Sequence, residues 1–120
     1  MAKILITDDS DFMRELISVL IEADGYDICF ATTGEETIDK YVAEKPDAVI
    51  LDIVMPGMNG LETLEKLTKM DPSAKVIVCS ALVVQNKVQQ EAMEKGAYMC
   101  VPKPFNGKEL RLMIKNCLEE

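Results

Sequence analysis

An α/β fold is predicted for this 120-residue chain: five parallel strands in one doubly wound sheet, with helices on both faces. Two observations predict it. Short β-branched runs alternate with longer amphipathic runs five times. The strongest short runs are apolar at successive positions, as strands buried on both faces of a parallel sheet are. Repeated βα units joined by short loops then require right-handed crossovers.

The elements follow in order. "KILIT" (Lys3–Thr7) is the first strand. The first helix spans Phe12–Ala23, with Leu16, Val19, Leu20 and Ala23 as its inward face and Gly25 as its stop. "DICFA" (Asp27–Ala31) is a weaker strand. "TTGEETIDKYVAEKP" opens a helix with Thr33 and Glu36 at capping-box spacing and closes at Pro46. "AVIL" (Ala48–Leu51) is the third strand. Asn59 caps a helix with Leu61, Leu64 and Leu67 on one stripe, ended by Pro72. "KVIVC" (Lys75–Cys79) precedes the helix "VQNKVQQEAMEKG", which stops at Gly96. "MCV" (Met99–Val101) is short, and Pro102 suits the end of an edge strand. Asn106 and Glu109 open the last helix, with Leu110, Met113, Ile114 and Cys117 inward.

Composition narrows the function. Apolar content of 48% with 28% charged residues is that of a globular chain. The start "MAKILITDDS" does not read as a signal peptide, and no apolar run approaches the ~20 residues of a membrane helix. A cytoplasmic location is expected. A net charge of −8 argues against nucleic acid and favours cations or basic partner surfaces. Cys29, Cys79, Cys100 and Cys117 form no CxxC pair, so reduced, buried thiols are expected rather than zinc. The absence of histidine removes Ser-His-Asp and Cys-His catalysis. Carboxylates, lysine, hydroxyls and backbone amides are the strongest candidates left.

Those groups fall at strand ends, where open α/β sheets bind ligands. Asp8 and Asp9 follow the first strand, Asp52 the third, Ser80 the fourth and Lys103 the fifth. Singly each is bland: Asp is common in caps and turns, and Ser and Lys on surfaces. Together they describe a site for a small hard cation such as Mg²⁺, which favours one or two carboxylates with water and phosphate oxygens. Asp8 and Asp9 would hold the metal. Asp52 would be both ligand and nucleophile toward phosphorus. Lys103 would neutralise a phosphoryl oxygen, with the Ser80 hydroxyl and the Ala81 backbone N–H assisting.

The stretches "ILITDDSDFMR", "PDAVILDIVMPGMNGLE", "VIVCSA", "EKGA" and "PKPF" resemble, in order and spacing, the receiver domains of two-component response regulators. The single-domain chemotaxis type is the most similar in style. The resemblance covers essentially all of residues 1–120, read as one receiver domain. It implies a flavodoxin-like (βα)5 fold with strand order 2-1-3-4-5, a class of which the chemotaxis receiver is itself a type example. It further implies that Asp52 accepts phosphate from a sensor histidine kinase. Asp8, Asp9, Asp52 and the Val54 carbonyl would bind Mg²⁺, with Mn²⁺ a possible substitute. Ser80 would be the switch hydroxyl, and the Lys103–Pro104 peptide would be cis. Met55, Pro56, Met58 and Gly60 fit the loop after the acceptor, Gly60 by allowing a close approach. The output would leave through helix four, strand five and helix five to a protein target. The chain would be a monomeric switch rather than a turnover enzyme, with no nucleic acid or membrane contact.

Some positions depart from the pattern. Cys100 stands where the family has a switch aromatic, and alternation puts Tyr98 on the same face. Val54 and Leu82 occupy the positions that tune phosphate lifetime, and neither can orient a water. Val83 and Val84 are expected to be partly exposed. Among rivals, a haloacid-dehalogenase-like phosphatase needs an Asp where Val54 stands, and a flavodoxin-like carrier would find "DDSDF" repelling its flavin phosphate. A pseudo-receiver would have lost these acids. Within the family, a phosphorelay shuttle to a histidine phosphotransfer protein remains the alternative to chemotaxis.

Overall fold

The structure, a computed structural model, describes residues 2–54 and 58–119. Strands β1 (Lys3–Thr7), β2 (Asp27–Ala31), β3 (Ala48–Leu51), β4 (Val76–Ser80) and β5 (Met99–Pro102) form one parallel sheet in the order β2-β1-β3-β4-β5. Helices α1 (Asp11–Glu22), α2 (Gly34–Glu44), α3 (Gly60–Met70), α4 (Asn86–Glu94) and α5 (Gly107–Glu119) connect them, with a 3₁₀ turn at Ala81–Val84 before α4.

Strand alternation sorts the core into two layers. Leu5, Val49, Leu51, Val76, Val78 and Cys100 pack toward α2, α3 and α4. Ile4, Ile6, Ala48, Ile50, Ile77, Cys79 and Val101 pack toward α1 and α5. Both faces of β1, β3 and β4 are covered, which accounts for their unbroken apolar runs. Pro102 ends the edge strand β5, as expected.

Helix starts agree with the expected caps. Thr33 accepts a hydrogen bond from Glu36 N, and Asn59 from Glu62 N. Asn106 Oδ1 accepts from Lys108 N and Glu109 N. The capping box at α2 is displaced by one residue: Glu36 Oε1 accepts from Thr32 N at 2.5 Å.

Four expectations need correction. The inward face of α1 is Ile17 and Ile21, with Met13 and Leu20 beside them; Leu16 and Val19 are 37% and 61% exposed. Tyr98 does not share a face with Cys100. It lies before β5, packs on the α1–α5 layer, and Cys100 belongs to the opposite layer. Strand alternation does not extend to a residue outside the strand. Val83 is buried at 4% exposure because the 3₁₀ turn folds it inward, whereas Val84 is exposed as expected. Cys29 is only half-buried, on the outer strand β2; the other three thiols are buried.

Candidate functional site

Backbone bonds carry three site residues just past their strand ends. Asp8 N donates to Ala31 O at 3.2 Å, Asp52 N to Thr7 O at 3.0 Å, and Lys103 N to Ser80 O at 3.3 Å. Each bond reaches to or beyond the strand end, so the ladder fixes the positions of Asp8, Asp52 and Lys103. Because β1 and β3 are neighbours, Asp8, Asp9 and Asp52 converge: one carboxylate oxygen from each lies within 4.8 Å of the others. Asp8 and Asp52 are buried and Asp9 is exposed.

Lys103 binds two of these acids. Its Nζ lies 2.6 Å from Asp8 Oδ2 and 3.0 Å from Asp52 Oδ2. Burial pulls the Lys103 pKa down, but the hydrogen bonds and charges of Asp8 and Asp52 outweigh it, and the net direction is upward. The remaining oxygens are held from the backbone. Asp8 Oδ1 accepts from Ser10 N at 2.9 Å, and Asp52 Oδ1 from Val54 N at 3.0 Å. The carboxylates are thus oriented before any ligand arrives.

Three carboxylates against one ammonium leave a net charge of −2 in a crevice open at Asp9. Hard oxygen donors, a partial ligand set and a solvent-facing side fit Mg²⁺ better than a softer metal. Burial pushes the nearby Cys79 thiol up to about 12, Lys103 only partly opposing it, so the thiol is held protonated near neutrality.

The expected groups fall as follows. Ser80 is fully buried, and its Oγ accepts from Leu82 N at 3.2 Å, capping the 3₁₀ turn. Ala81 is exposed at the start of that turn. The Lys103–Pro104 peptide is cis. Gly60 packs as expected: a Cβ there would sit 2.1 Å from Ile53 Cα and 2.6 Å from Asp52 O. Met55 and Pro56 lie outside the described residues.

Sequence reasoning missed the supporting roles of four residues. Ser10 caps α1 by accepting from Met13 N, which its place before the helix could have signalled. Arg14 Nη1 donates to Asp8 O at 2.5 Å and also pairs with Asp11. Below the site, the buried Thr7 and Thr37 hydroxyls share a 3.0 Å hydrogen bond, and Thr37 also bonds Thr33 O. Thr7 thus finds a side-chain partner, which no local pattern shows.

Residues 4–115 match the response regulator receiver domain family. The chain belongs to that family. This receiver domain is similar to the chemotaxis protein CheY of Thermotoga maritima, 44% identical over 104 residues that cover 86% of each chain. It is also similar to sporulation initiation phosphotransferase F of Bacillus subtilis, 35% identical over 116 residues covering 97% of this chain and 93% of the other. A crystal structure of a response regulator from Chloroflexus aurantiacus superposes with a TM-score of 0.93 at 26% identity, covering 99% and 98% of the two chains. Cys100 is buried on β5, its Sγ 3.9 Å from Met93 Sδ. Val54 and Leu82 are 53% and 37% exposed.

Proposed function

We propose that residues 1–120 act as one phosphorylation-activated switch, with Asp52 as the acceptor for a phosphoryl group from a sensor kinase's phosphohistidine. The observation that carries this reading is the placement of Lys103 Nζ between Asp8 and Asp52, beside three converging carboxylates. A carboxylate oxygen of Asp52 attacks phosphorus, the P–N bond of the donor breaks, and an acyl phosphate forms. Asp8, Asp9, Asp52 and the Val54 carbonyl would hold Mg²⁺ (or Mn²⁺), which would supply positive charge to offset that developing on the phosphoryl oxygens. Lys103 turns from Asp52 toward a phosphoryl oxygen, and Ser80 and the Ala81 N–H bind the others. Ser80 Oγ accepts from Leu82 N, which leaves its O–H free to donate to a phosphoryl oxygen.

The switch then alters the surface of α4, β5 and α5 for a downstream protein. Similarity to the Thermotoga chemotaxis protein supports a motility role; similarity to the Bacillus phosphotransferase supports a phosphorelay shuttle as the second reading. We read the domain as cytoplasmic and monomeric, acting through protein partners rather than nucleic acid or membrane, and as a switch rather than a turnover enzyme. No helix among the described residues is long and apolar enough to cross a membrane.

The test is intact mass after incubation with acetyl phosphate, with and without Mg²⁺, for wild type and Asp52→Ala. A Mg²⁺-dependent phosphoryl adduct on the wild type alone is expected. An equal adduct on Asp52→Ala would refute the acceptor. Half-exposed Leu82 and Val54 supply no group to orient water, so the acyl phosphate is expected to persist. Leu82→Asn should shorten its lifetime; rapid loss in wild type with no change in the variant removes this explanation.

A further inference from the structure

A groove of about 470 Å³ runs along α5 where it meets the turn between α1 and β2. Asp24, Tyr26, Lys108, Arg111, Leu112 and Lys115 line it. None belongs to the carboxylate site. Lys108, Arg111 and Lys115 follow i, i+3, i+7 spacing and so share one face of the helix.

A lysine stripe is ordinarily just a solvated helix face. Three features set this one apart. The chain has 13 basic residues against 21 acidic, so three cations with one carboxylate in one groove invert the sign of the molecule. Arg111 is fixed as a wall, its Nε and Nη2 donating to the two oxygens of Asp24 at 3.0 and 2.7 Å. Lys108 and Lys115 are exposed and make no ion pair within 4.0 Å among the described residues, Lys115 acting on Asp24 only at longer range. Beside them Leu112 is 59% exposed and Tyr26 half-buried, giving the groove an apolar side.

We propose that this groove docks a short acidic, amphipathic peptide segment of a partner protein. Its carboxylates would face Lys108 and Lys115, and an apolar side chain would lie on Leu112 and Tyr26. Complementary charge of this kind sets orientation and association rate. A short segment suits the groove better than a long polyanion. Screening confines the favourable potential to about 10 Å. A nucleic acid or an anionic bilayer would extend past the groove over a surface whose excess charge is negative.

The test is an NMR titration of the ¹⁵N-labelled full chain, without a phosphodonor. The probe is a synthetic peptide of Glu, Asp and Leu, with a Lys-for-Glu peptide as control. Saturable shifts at Tyr26, Leu112 and Lys115 are expected with the acidic peptide alone. Affinity should fall about tenfold in Lys108→Gln/Lys115→Gln, and similarly when salt rises from about 50 to about 300 mM. These two side chains are exposed, and the variant's unbound spectrum checks its fold. No shift, shifts on another face, or unchanged affinity in the double variant would overturn the proposal. Tighter binding of a short RNA oligonucleotide or phosphatidylglycerol vesicles to the same residues would overturn it too. Because Asp52 is left unphosphorylated, failure here is separate from failure of the switch reading.

Discussion

Gly60→Ala should destabilise the receiver, whereas the same change at Gly107 should be nearly neutral. At Gly60 the new Cβ would lie 2.1 Å from Ile53 Cα and 2.6 Å from Asp52 O. Both are backbone atoms, so no rotamer change relieves the clash. The start of α3 must retreat by roughly 1 Å or more to reach ordinary contact distance, straining the Gly60 N to Ile53 O bond of 3.1 Å. Overpacking of this sort costs about 1–3 kcal/mol, and the lost bond about 1 kcal/mol more. Alanine's helix propensity returns at most about 1 kcal/mol. A net loss of about 1–3 kcal/mol follows, or roughly 5–15 °C in Tm. At Gly107 the nearest atom is Leu20 Cδ2 at 3.2 Å, the end of a flexible side chain. Urea unfolding of both variants at unchanged m-value is the assay. If Gly60→Ala lies within about 0.5 kcal/mol of wild type, the rigid contact between α3 and the acceptor loop is wrong.

Lys103→Met leaves Asp8 and Asp52 buried without their cation, and should cost about 3 kcal/mol at neutral pH, part of it recovered by adding Mg²⁺. The raised Lys103 pKa means that its stabilisation is fully present below the ordinary lysine value of about 10.4 and is lost as pH rises through the folded value. The difference between wild type and variant should therefore be flat from neutrality to about pH 10 and then shrink; a difference that grows with pH contradicts the assignment. Thr37→Val strands the Thr7 hydroxyl and should cost about 1–2 kcal/mol. Thr7→Val/Thr37→Val should cost less than the sum of the singles, and strict additivity in a double-mutant cycle would break the pairing argument.

Much of this receiver could be read from residues alone, and the failures have physical causes. β1 and β3 have the expected bounds because continuous apolar, β-branched-rich runs between Gly, Pro and Asp signals leave few alternatives, and the weaker β2 has its expected bounds too, between Gly25 and the Thr33 cap. The converging acids were legible because strand ends gather in a parallel sheet. The α1 face was not, since two apolar stripes share Leu20 and only packing against β1 and α5 chooses between them. Tyr98 was misassigned because period-two reasoning was carried past the strand's edge. The ammonium bridge and the Thr7–Thr37 pair are long-range contacts, invisible to any local window.

The bridge from Lys103 to Asp8 spans 95 residues, and that to Asp52 spans 51. During synthesis both acids emerge long before the lysine. A chain stopped short of β5 would hold two buried carboxylates with nothing between them. If Asp52 is the acceptor, competence to accept phosphate is acquired late, when the last βα unit closes. Phosphorylation would then report on completeness as well as on signal: a half-made or locally unzipped copy would be silent, and it could not pass a false message to the partner it would otherwise engage.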